Sequence, residues 1–167
     1  MENEVPGPGR IPNQSDLVAL CRALNQEDAR YIVIGGFAII HHGFIRATED
    51  VDLLIDADRD NQARVKKALE VLPEKAILEL GEDDFRKYTV VRVSDEVLVD
   101  VMTAACGIDY KEASEFIEVA NVQGVQIPFA TPQLLLRMKQ THRESDAVDR
   151  IFLYRKIAEQ EKETRNS

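Results

Sequence analysis

The sequence feature that most constrains the fold is a short hydrophobic run that ends in two glycines. Residues 31–34 are Tyr-Ile-Val-Ile, a composition typical of a buried strand, and Gly35-Gly36 follows at once. Residues 37–42 are apolar enough for a short buried helix, which Gly43 ends. Glycines at such a turn let a phosphate approach the free backbone N–H groups of the helix. A Gly-Gly pair alone is weak support for this, because any tight strand-to-helix turn favours glycine.

A second strand downstream carries two aspartates. Residues 51–55 are hydrophobic apart from Asp52, and alternate side chains of a strand point to the same face, so Asp50 and Asp52 project together. Two carboxylates held that close raise each other's pKa unless a cation lies between them. The spacing therefore predicts a site for a divalent metal with hard oxygen ligands, Mg²⁺ above all.

A third acid lies on a later predicted strand. Residues 97–102 are hydrophobic except for Asp100, and a lone carboxylate is costly to bury unless it is paired or bound to a metal. The alternative is an exposed edge position, in which Asp100 faces water while its neighbours pack. The spacing of acids is by itself weak support for a metal site, because Asp56, Asp58 and Asp60 also alternate. The segment that contains those three acids is typical of a solvated loop and a helix N-terminus. The strand context is what favours Asp100 as a third ligand.

The rest of the chain predicts one α/β (α+β) domain, a mixed β-sheet flanked by helices with a short C-terminal helical element. We expect a flexible N-terminal arm over residues 1–14, a single domain over 15–160, with its C-terminal helices from about 131, and a frayed tail over 161–167. Further predicted helices begin after an N-cap at Ser15, at Asp60 and at Thr131-Pro132, and another covers residues 110–120. The last predicted helix covers residues 144–160, with Val148, Ile151, Phe152 and Ile157 inward. The remaining predicted strands are residues 76–80, a hairpin of 88–93 and 97–103, and residues 122–129 with a turn at Gly124.

Net charge and hydropathy narrow the classes of function. The 167-residue chain has a formal net charge of −9, which does not favour a broad electrostatic grip on a nucleic-acid backbone. The acidic balance fits a protein that concentrates divalent cations. The apolar runs are too short to span a bilayer, so we expect no membrane partner and a cytoplasmic location.

The order of these motifs resembles the nucleotidyltransferase superfamily with the DNA-polymerase-β-like fold. Its members carry a hydrophobic strand, Gly-Gly or Gly-Ser, then Asp-x-Asp, then a third acid on a later strand. The run Arg46-x-Thr48-x-Asp50-x-Asp52 is most similar to small bacterial members, the AbiEii-like toxin group. Lincosamide and aminoglycoside nucleotidyltransferases are similar but more distant.

A helical pattern near the C-terminus extends the resemblance to about residues 31–153. It consists of Lys139, Arg143, Asp146 and Asp149, in that order. Arg143 and Asp146 lie three residues apart on a predicted helix, so a structural ion pair is as good an interpretation of that pair as a substrate contact.

The resemblance implies a magnesium-dependent enzyme that moves an NMP from an NTP to an acceptor hydroxyl and releases pyrophosphate. Asp50, Asp52 and Asp100 would be catalytic and would hold two Mg²⁺ ions. The implied nucleotide-binding residues are Gly35, Gly36, Arg46, Thr48 and Lys139. The acceptor would be tRNA, a protein or a small molecule, and a toxin-type enzyme would have an antitoxin partner. The alternative is a catalytically inactive nucleotide-binding or partner-binding module on the same fold.

Four of the polar candidates have structural interpretations as well. Arg46 can form a surface salt bridge with Glu49 or Asp50, and Lys139 can be a solvated helix residue. His41 and His42 end the predicted short helix, where adjacent residues point about 100° apart and cannot easily share an ion. We therefore expect these two histidines to cap or pack rather than to bind a metal.

Overall fold

The fold is a mixed sheet with helices on its faces and at both ends of the chain, as the sequence predicts. The structure, a computed structural model, describes residues 9–140 and 143–167. The strands are β1 Tyr31–Ile34, β2 Asp50–Ile55, β3 Val90–Ser94, β4 Leu98–Met102, β5 Ala104–Ala105, β6 Ile108–Asp109, β7 Ile117–Val122 and β8 Val125–Ala130. The helices are α1 Gln14–Gln26, α2 Gly35–His41, α3 Arg59–Leu69, α4 Asp84–Lys87, α5 Tyr110–Ala113, α6 Pro132–Met138 and α7 Glu144–Arg165.

Six strands form the main sheet, in the order β3-β4-β2-β1-β8-β7, and β5 pairs with β6 separately. At its centre β2 is antiparallel to β1 and parallel to β4. The hydrophobic side chains of β2, namely Val51, Leu53, Leu54 and Ile55, are completely buried. Burying a side chain of this size stabilises the fold by about 1.5–3 kcal/mol. This burial holds β2 in one register and thereby fixes where its two aspartates lie.

The N-cap of α1 is Asn13, and the prediction of Ser15 is wrong. The Asn13 side chain accepts a hydrogen bond from the Asp16 N–H, while the Asp16 carboxylate accepts one from the Asn13 N–H. This reciprocal capping box satisfies two N–H groups at once, which a lone serine cannot do. Residues 1–8 of the predicted arm lie outside the described residues. The adjoining Arg10 forms ion pairs with Asp16 at 2.6 Å and with Glu96 at 3.1 Å.

The predicted strand 76–80 is wrong, because residues 76–79 form a 3-10 helix. Lys75 precedes it in the left-handed region, with φ 55°. The buried carboxylate of Asp95 accepts hydrogen bonds from the N–H groups of Glu74 and Ala76, at 3.0 and 2.9 Å. The Asp95 side chain thus satisfies these two N–H groups, and the segment adds no strand to the sheet.

The predicted helix 110–120 is correct only for its first turn. It ends at Ala113, and Ile117–Val122 forms β7 instead. In β7 each residue pairs with one of β8 across a tight turn in which Gln123 and Gly124 have φ 51° and 84°. Positive φ at both central residues matches the twist of a hairpin, so pairing with β8 outweighs local helix propensity. The predicted strand 122–129 accordingly begins three residues later, at Val125.

The two C-terminal helices differ in how well they were predicted, although both begin where the sequence indicates. Thr131 is the N-cap of α6 as expected, and its hydroxyl accepts a hydrogen bond from the Leu134 N–H. The last helix extends to Arg165, beyond the predicted end. The prediction of its inward face is wrong for Val148 and Ile151, which are 53% and 56% exposed, whereas the predicted Phe152 does pack against the core. The residues that α7 buries are Asp146, Asp149 and Leu153.

Hydropathy of the helices bears on membrane association. Within residues 9–140 and 143–167, no helix combines the length and the apolar character needed to cross a bilayer.

Candidate active site

Three aspartates meet on one face of the sheet. In the parallel pairing of β2 with β4, Asp52 lies opposite Asp100, and Asp50 lies two residues before Asp52 on the same face. One carboxylate oxygen of each residue lies within 4.8 Å of those of the other two. The predicted cluster therefore exists as a geometric fact. The alternative of an exposed edge position for Asp100 is wrong, because this residue is only 7% exposed.

The environment of the cluster disfavours three negative charges without a cation. Burial, followed by the charges of Asp50 and Asp100, raises the pKa of Asp52 to about 7. Burial and the charge of Asp100 also raise the pKa of Asp50. All of the donors are carboxylate oxygens, the ligands that Mg²⁺ prefers. The donor set thus fits Mg²⁺, whose charge would relieve the repulsion.

Arg92 is a member of this cluster that the sequence analysis missed. On β3 it lies opposite Asp100, and its guanidinium donates hydrogen bonds to both Asp100 oxygens at 2.8 and 2.9 Å. It also donates to Asp50 Oδ2 at 3.1 Å. The signal was present in the sequence, because Arg92 is a single cation within a predicted hairpin strand whose partner strand contains Asp100.

The two glycines allow α2 to begin directly against the acid cluster. Gly35 has φ 68°, and a Cβ at this position would lie 2.0 Å from Asp52 Oδ2. A Cβ on Gly36 would lie 2.4 Å from Thr48 Oγ1. The Thr48 hydroxyl in turn donates to the Asp50 carbonyl oxygen at 3.1 Å, which holds the loop that leads into β2. Both glycines are therefore required by close approach, whatever they bind.

The cations on the opposite side of the cleft are held by buried acids of α7. Arg46 Nη1 donates to both oxygens of Asp149, at 2.6 and 2.7 Å. Lys139 Nζ lies 3.0 Å from Asp146 and 3.3 Å from Asp149. Arg143 reaches Asp146 at 3.5 Å. The alternative interpretation of Lys139 as a solvated helix residue is wrong, since its side chain is 16% exposed.

Arg46 does not form the surface salt bridge that is the structural alternative to nucleotide binding. Its partner is Asp149, a residue of α7 far along the chain, rather than Glu49 or Asp50. Among the described residues its Nε has no hydrogen-bond partner, although that atom is buried. A buried N–H without a partner is costly, so this donor fits a site that binds an acceptor atom of a ligand.

One cleft of about 720 Å³ collects all of these groups. Every predicted site residue lines it, namely Gly35, Gly36, Arg46, Thr48, Asp50, Asp52, Asp100 and Lys139. The volume lies within the range of about 300–1,000 Å³ that is usual for small-molecule sites. Acids form one part of the wall and cations another, an arrangement that suits a polyanionic ligand bound together with a divalent cation.

Comparisons with known proteins point in one direction. The sequence model of the family described as "Nucleotidyl transferase AbiEii toxin, Type IV TA system" matches residues 18–145. A structure of the lincosamide antibiotic adenylyltransferase LnuA, lincomycin-bound, has 14% identity and a TM-score of 0.60, with 87% of this chain and 98% of that chain covered. A putative nucleotidyltransferase from Thermotoga maritima has 15% identity and a TM-score of 0.52, with 86% and 91% covered. The curated proteins contain no significant match.

Proposed function

This chain belongs to the AbiEii family of nucleotidyl transferase toxins, and we propose that its cleft transfers an NMP from an NTP to an acceptor hydroxyl in a magnesium-dependent reaction. Pyrophosphate is the leaving group. The observation that carries the proposal is the convergence of Asp50, Asp52 and Asp100 within 4.8 Å of one another. Such a cluster has a clear use in phosphoryl-type transfer, where two metal ions about 3.5–4 Å apart act on one phosphate.

The three acids divide the work in this proposal. Asp50 and Asp52 would hold both metal ions, and Asp100 would help to hold the second and would orient the attacking hydroxyl or accept its proton. When bound there, Mg²⁺ would neutralise charge on the triphosphate and lower the pKa of the hydroxyl. Arg92 must give up its contacts with Asp50 and Asp100 at least in part, because both residues need their oxygens as ligands.

The triphosphate lies between the acids and the cationic side of the cleft. Gly35 and Gly36 leave room for it beside the backbone N–H groups at the start of α2, and Thr48 keeps the entering loop in place. Arg46 offers its unpartnered Nε, and Lys139 offers charge that Asp146 and Asp149 only partly balance. Preorganised donors of this kind stabilise the charge that develops during transfer.

The acceptor is tRNA, a protein or a small molecule, and the family description supports a toxin whose activity an antitoxin partner restrains. The net charge of −9 weighs against a broad electrostatic grip on RNA, so an RNA acceptor would depend on local contacts around the cleft. A cytoplasmic location is consistent with NTP as the donor substrate.

A transfer assay tests the proposal directly. The full chain is incubated with Mg²⁺ and each α-³²P-labelled NTP, together with separated RNA, protein and small-molecule fractions of a bacterial lysate. We expect label in one fraction only, with an absolute requirement for divalent metal. Asp52→Asn should abolish transfer, whereas Asp60→Asn, at an exposed position of α3, should not.

The assay also separates the enzyme from the alternative of an inactive module on the same fold. An inactive module would bind an NTP in equilibrium dialysis and yet label no fraction. If Asp52→Asn leaves NTP binding unchanged, the acid cluster is not part of the nucleotide site.

A further inference from the structure

A second cluster of side chains of the types that can bind a metal lies at the far end of α2. His41 is the last residue of the helix, His42 follows it, and Glu118 lies on the neighbouring edge strand β7. His41 Nε2 is 3.7 Å from Glu118 Oε1, and His42 Nδ1 is 3.9 Å from Glu118 Oε2. One ligand atom of each residue lies within 4.8 Å of those of the other two.

The convergence of two adjacent histidines has a simple geometric cause. Neighbouring residues on a helix point about 100° apart, which is why the sequence argues against a shared ion. Here His41 approaches Glu118 with its distal Nε2, whereas His42 approaches with its proximal Nδ1. The two ring centroids are 5.0 Å apart, at an interplanar angle of 66°. The use of different ring nitrogens compensates for the difference in direction.

The hydrogen bond of His42 identifies which of its nitrogens is available. His42 Nε2 lies 2.8 Å from the carbonyl oxygen of Ala130, which can only accept, so Nε2 carries a proton. Nδ1, the ring nitrogen that this hydrogen bond leaves available, faces the carboxylate of Glu118 at 3.9 Å. Metal-binding histidines commonly donate their other N–H to a carbonyl in this way.

Of the remaining two ligands, His41 is held in place and Glu118 is accessible to solvent. The His41 ring stacks on Phe129, with centroids 4.0 Å apart and an interplanar angle of 3°. The Glu118 side chain is 51% exposed and can move. A tetrahedral zinc site places its ligand atoms about 3.3 Å apart. The ligand atoms lie within 4.8 Å of one another, so they must approach by at most about 1.5 Å, and the exposure of Glu118 leaves a path for the ion.

We propose that His41, His42 and Glu118 form a second metal site, for a transition-metal ion such as Zn²⁺ with water as the fourth ligand. Two imidazoles and one carboxylate suit zinc, whereas the all-carboxylate cluster around Asp52 suits Mg²⁺. The bound ion fixes the end of α2 to the β7–β8 hairpin. The inference does not depend on the proposed nucleotidyl transfer, since it concerns the opposite end of the helix.

Zinc binding is measured on the full chain in a background in which two other candidate ligands are replaced. Asp52→Asn weakens the acid cluster, and Cys106→Ser removes the exposed thiol. After treatment with EDTA and dialysis, we expect isothermal titration calorimetry to show one Zn²⁺ per chain and differential scanning fluorimetry to show a raised Tm. Co²⁺ in place of Zn²⁺ should give the strong visible absorption of a tetrahedral site.

Two ligand variants and one control locate the ion. Glu118→Gln keeps the shape of the side chain, and His41→Phe keeps an aromatic ring against Phe129 while removing the ligand. Each should weaken Zn²⁺ binding at least 10–100-fold, the loss typical of supporting residues around metal sites. Glu115→Gln, another exposed carboxylate close to β7, should leave the affinity unchanged.

Two experimental results would overturn the proposal. Absence of Zn²⁺ binding in the double-variant background does so, as does binding that neither Glu118→Gln nor His41→Phe weakens. A loss of affinity counts in favour only where the variant has the Tm of its parent in EDTA. If His41→Phe fails to fold, Glu118→Gln decides alone, because its exposed side chain contributes little to stability.

Discussion

Arg92 and Asp100 are cross-strand partners, and the Arg92 guanidinium donates hydrogen bonds to both oxygens of the Asp100 carboxylate, at 2.8 and 2.9 Å. The same guanidinium reaches Asp50 at 3.1 Å. A fixed positive charge thus compensates the acid cluster in the metal-free protein. It also competes with a divalent cation for the same oxygens, so that removing it should have opposite effects on stability and on metal binding.

Arg92→Gln is expected to lower Tm in EDTA and to bind Mg²⁺ several-fold more tightly. The loss of stability should be at most about 1 kcal/mol, because the Arg92 side chain is 52% exposed and solvent screens its charge. The Tm deficit should shrink as Mg²⁺ is added. Fluorimetry with and without Mg²⁺ measures it, with Arg86→Gln as an exposed control. Equal deficits under both conditions would contradict the competition.

Asp52→Asn should stabilise the metal-free protein at pH 8 and not at pH 4. The folded-state pKa of Asp52, about 7, lies above its usual 3.8, so the protonated form is the one that folding favours. Its contribution to stability is complete below pH 3.8 and is lost as pH rises through about 7. Asparagine cannot ionise and avoids that loss. Urea unfolding in EDTA across this range measures the difference.

The same variant gives an internal control through the metal. At pH 8 with saturating Mg²⁺ the order should reverse, because the wild-type chain gains binding free energy that Asp52→Asn cannot. An Asn variant that stays more stable than wild type in Mg²⁺ would show that Asp52 is not a metal ligand.

Gly35→Ala should destabilise the chain more than Gly124→Ala. Both glycines have positive φ, 68° and 84°, so alanine costs about 1–2 kcal/mol of backbone strain at either position. A Cβ on Gly35 lies 2.0 Å from Asp52, whereas one on Gly124 meets nothing within 4 Å. The additional clash should cost roughly 1–3 kcal/mol.

The clash should also have a consequence at the site, because Asp52 must move to relieve it. Gly35→Ala is expected to lose the Mg²⁺-dependent rise in Tm, and Gly124→Ala is expected to keep it. If Mg²⁺ raises the Tm of the two variants equally, then the missing side chain of Gly35 is not needed to leave room for the Asp52 carboxylate.

Asp149→Asn should destabilise the chain by about 3 kcal/mol. Asp149 is buried and pairs with both Arg46 and Lys139, and removing one member of a buried ion pair leaves uncompensated charge. Adding Arg46→Met should recover part of the loss, because fewer positive charges then lack a partner. A double-variant cycle by urea unfolding measures the coupling. Strict additivity of the two substitutions would mean that this ion pair contributes nothing to the fold.

Much of the site could be predicted because it depends on local geometry. A strand places alternate residues on one face whatever surrounds it, so Asp50 and Asp52 had to project together. The hairpin prediction for β3 and β4 was correct in type, and it already placed Arg92 near Asp100. The hydrophobic run before Gly35 likewise predicted β1 and the tight turn into α2.

Where prediction failed, a contact with residues outside the segment decided the outcome. The apolar residues of segment 117–122 are also compatible with a helix, and pairing with β8 makes the segment a strand. The inward face of α7 was predicted from hydrophobicity, but Arg46 and Lys139 neutralise Asp146 and Asp149 and allow carboxylates to be buried there. Arg46 precedes Asp149 by 103 residues, which is far outside the window that a periodicity argument examines.

By itself, then, the sequence determined the mixed fold, the two glycines and the spacing of the acids, since each follows from backbone geometry within a few residues. Only the tertiary structure decided the partners of those groups: Arg92 for Asp100, Asp149 for Arg46, and Glu118 for the two histidines. The physical reason is that charge interactions and strand pairing depend on distance in space, which chain folding sets, whereas alternation and capping depend on distance along the chain.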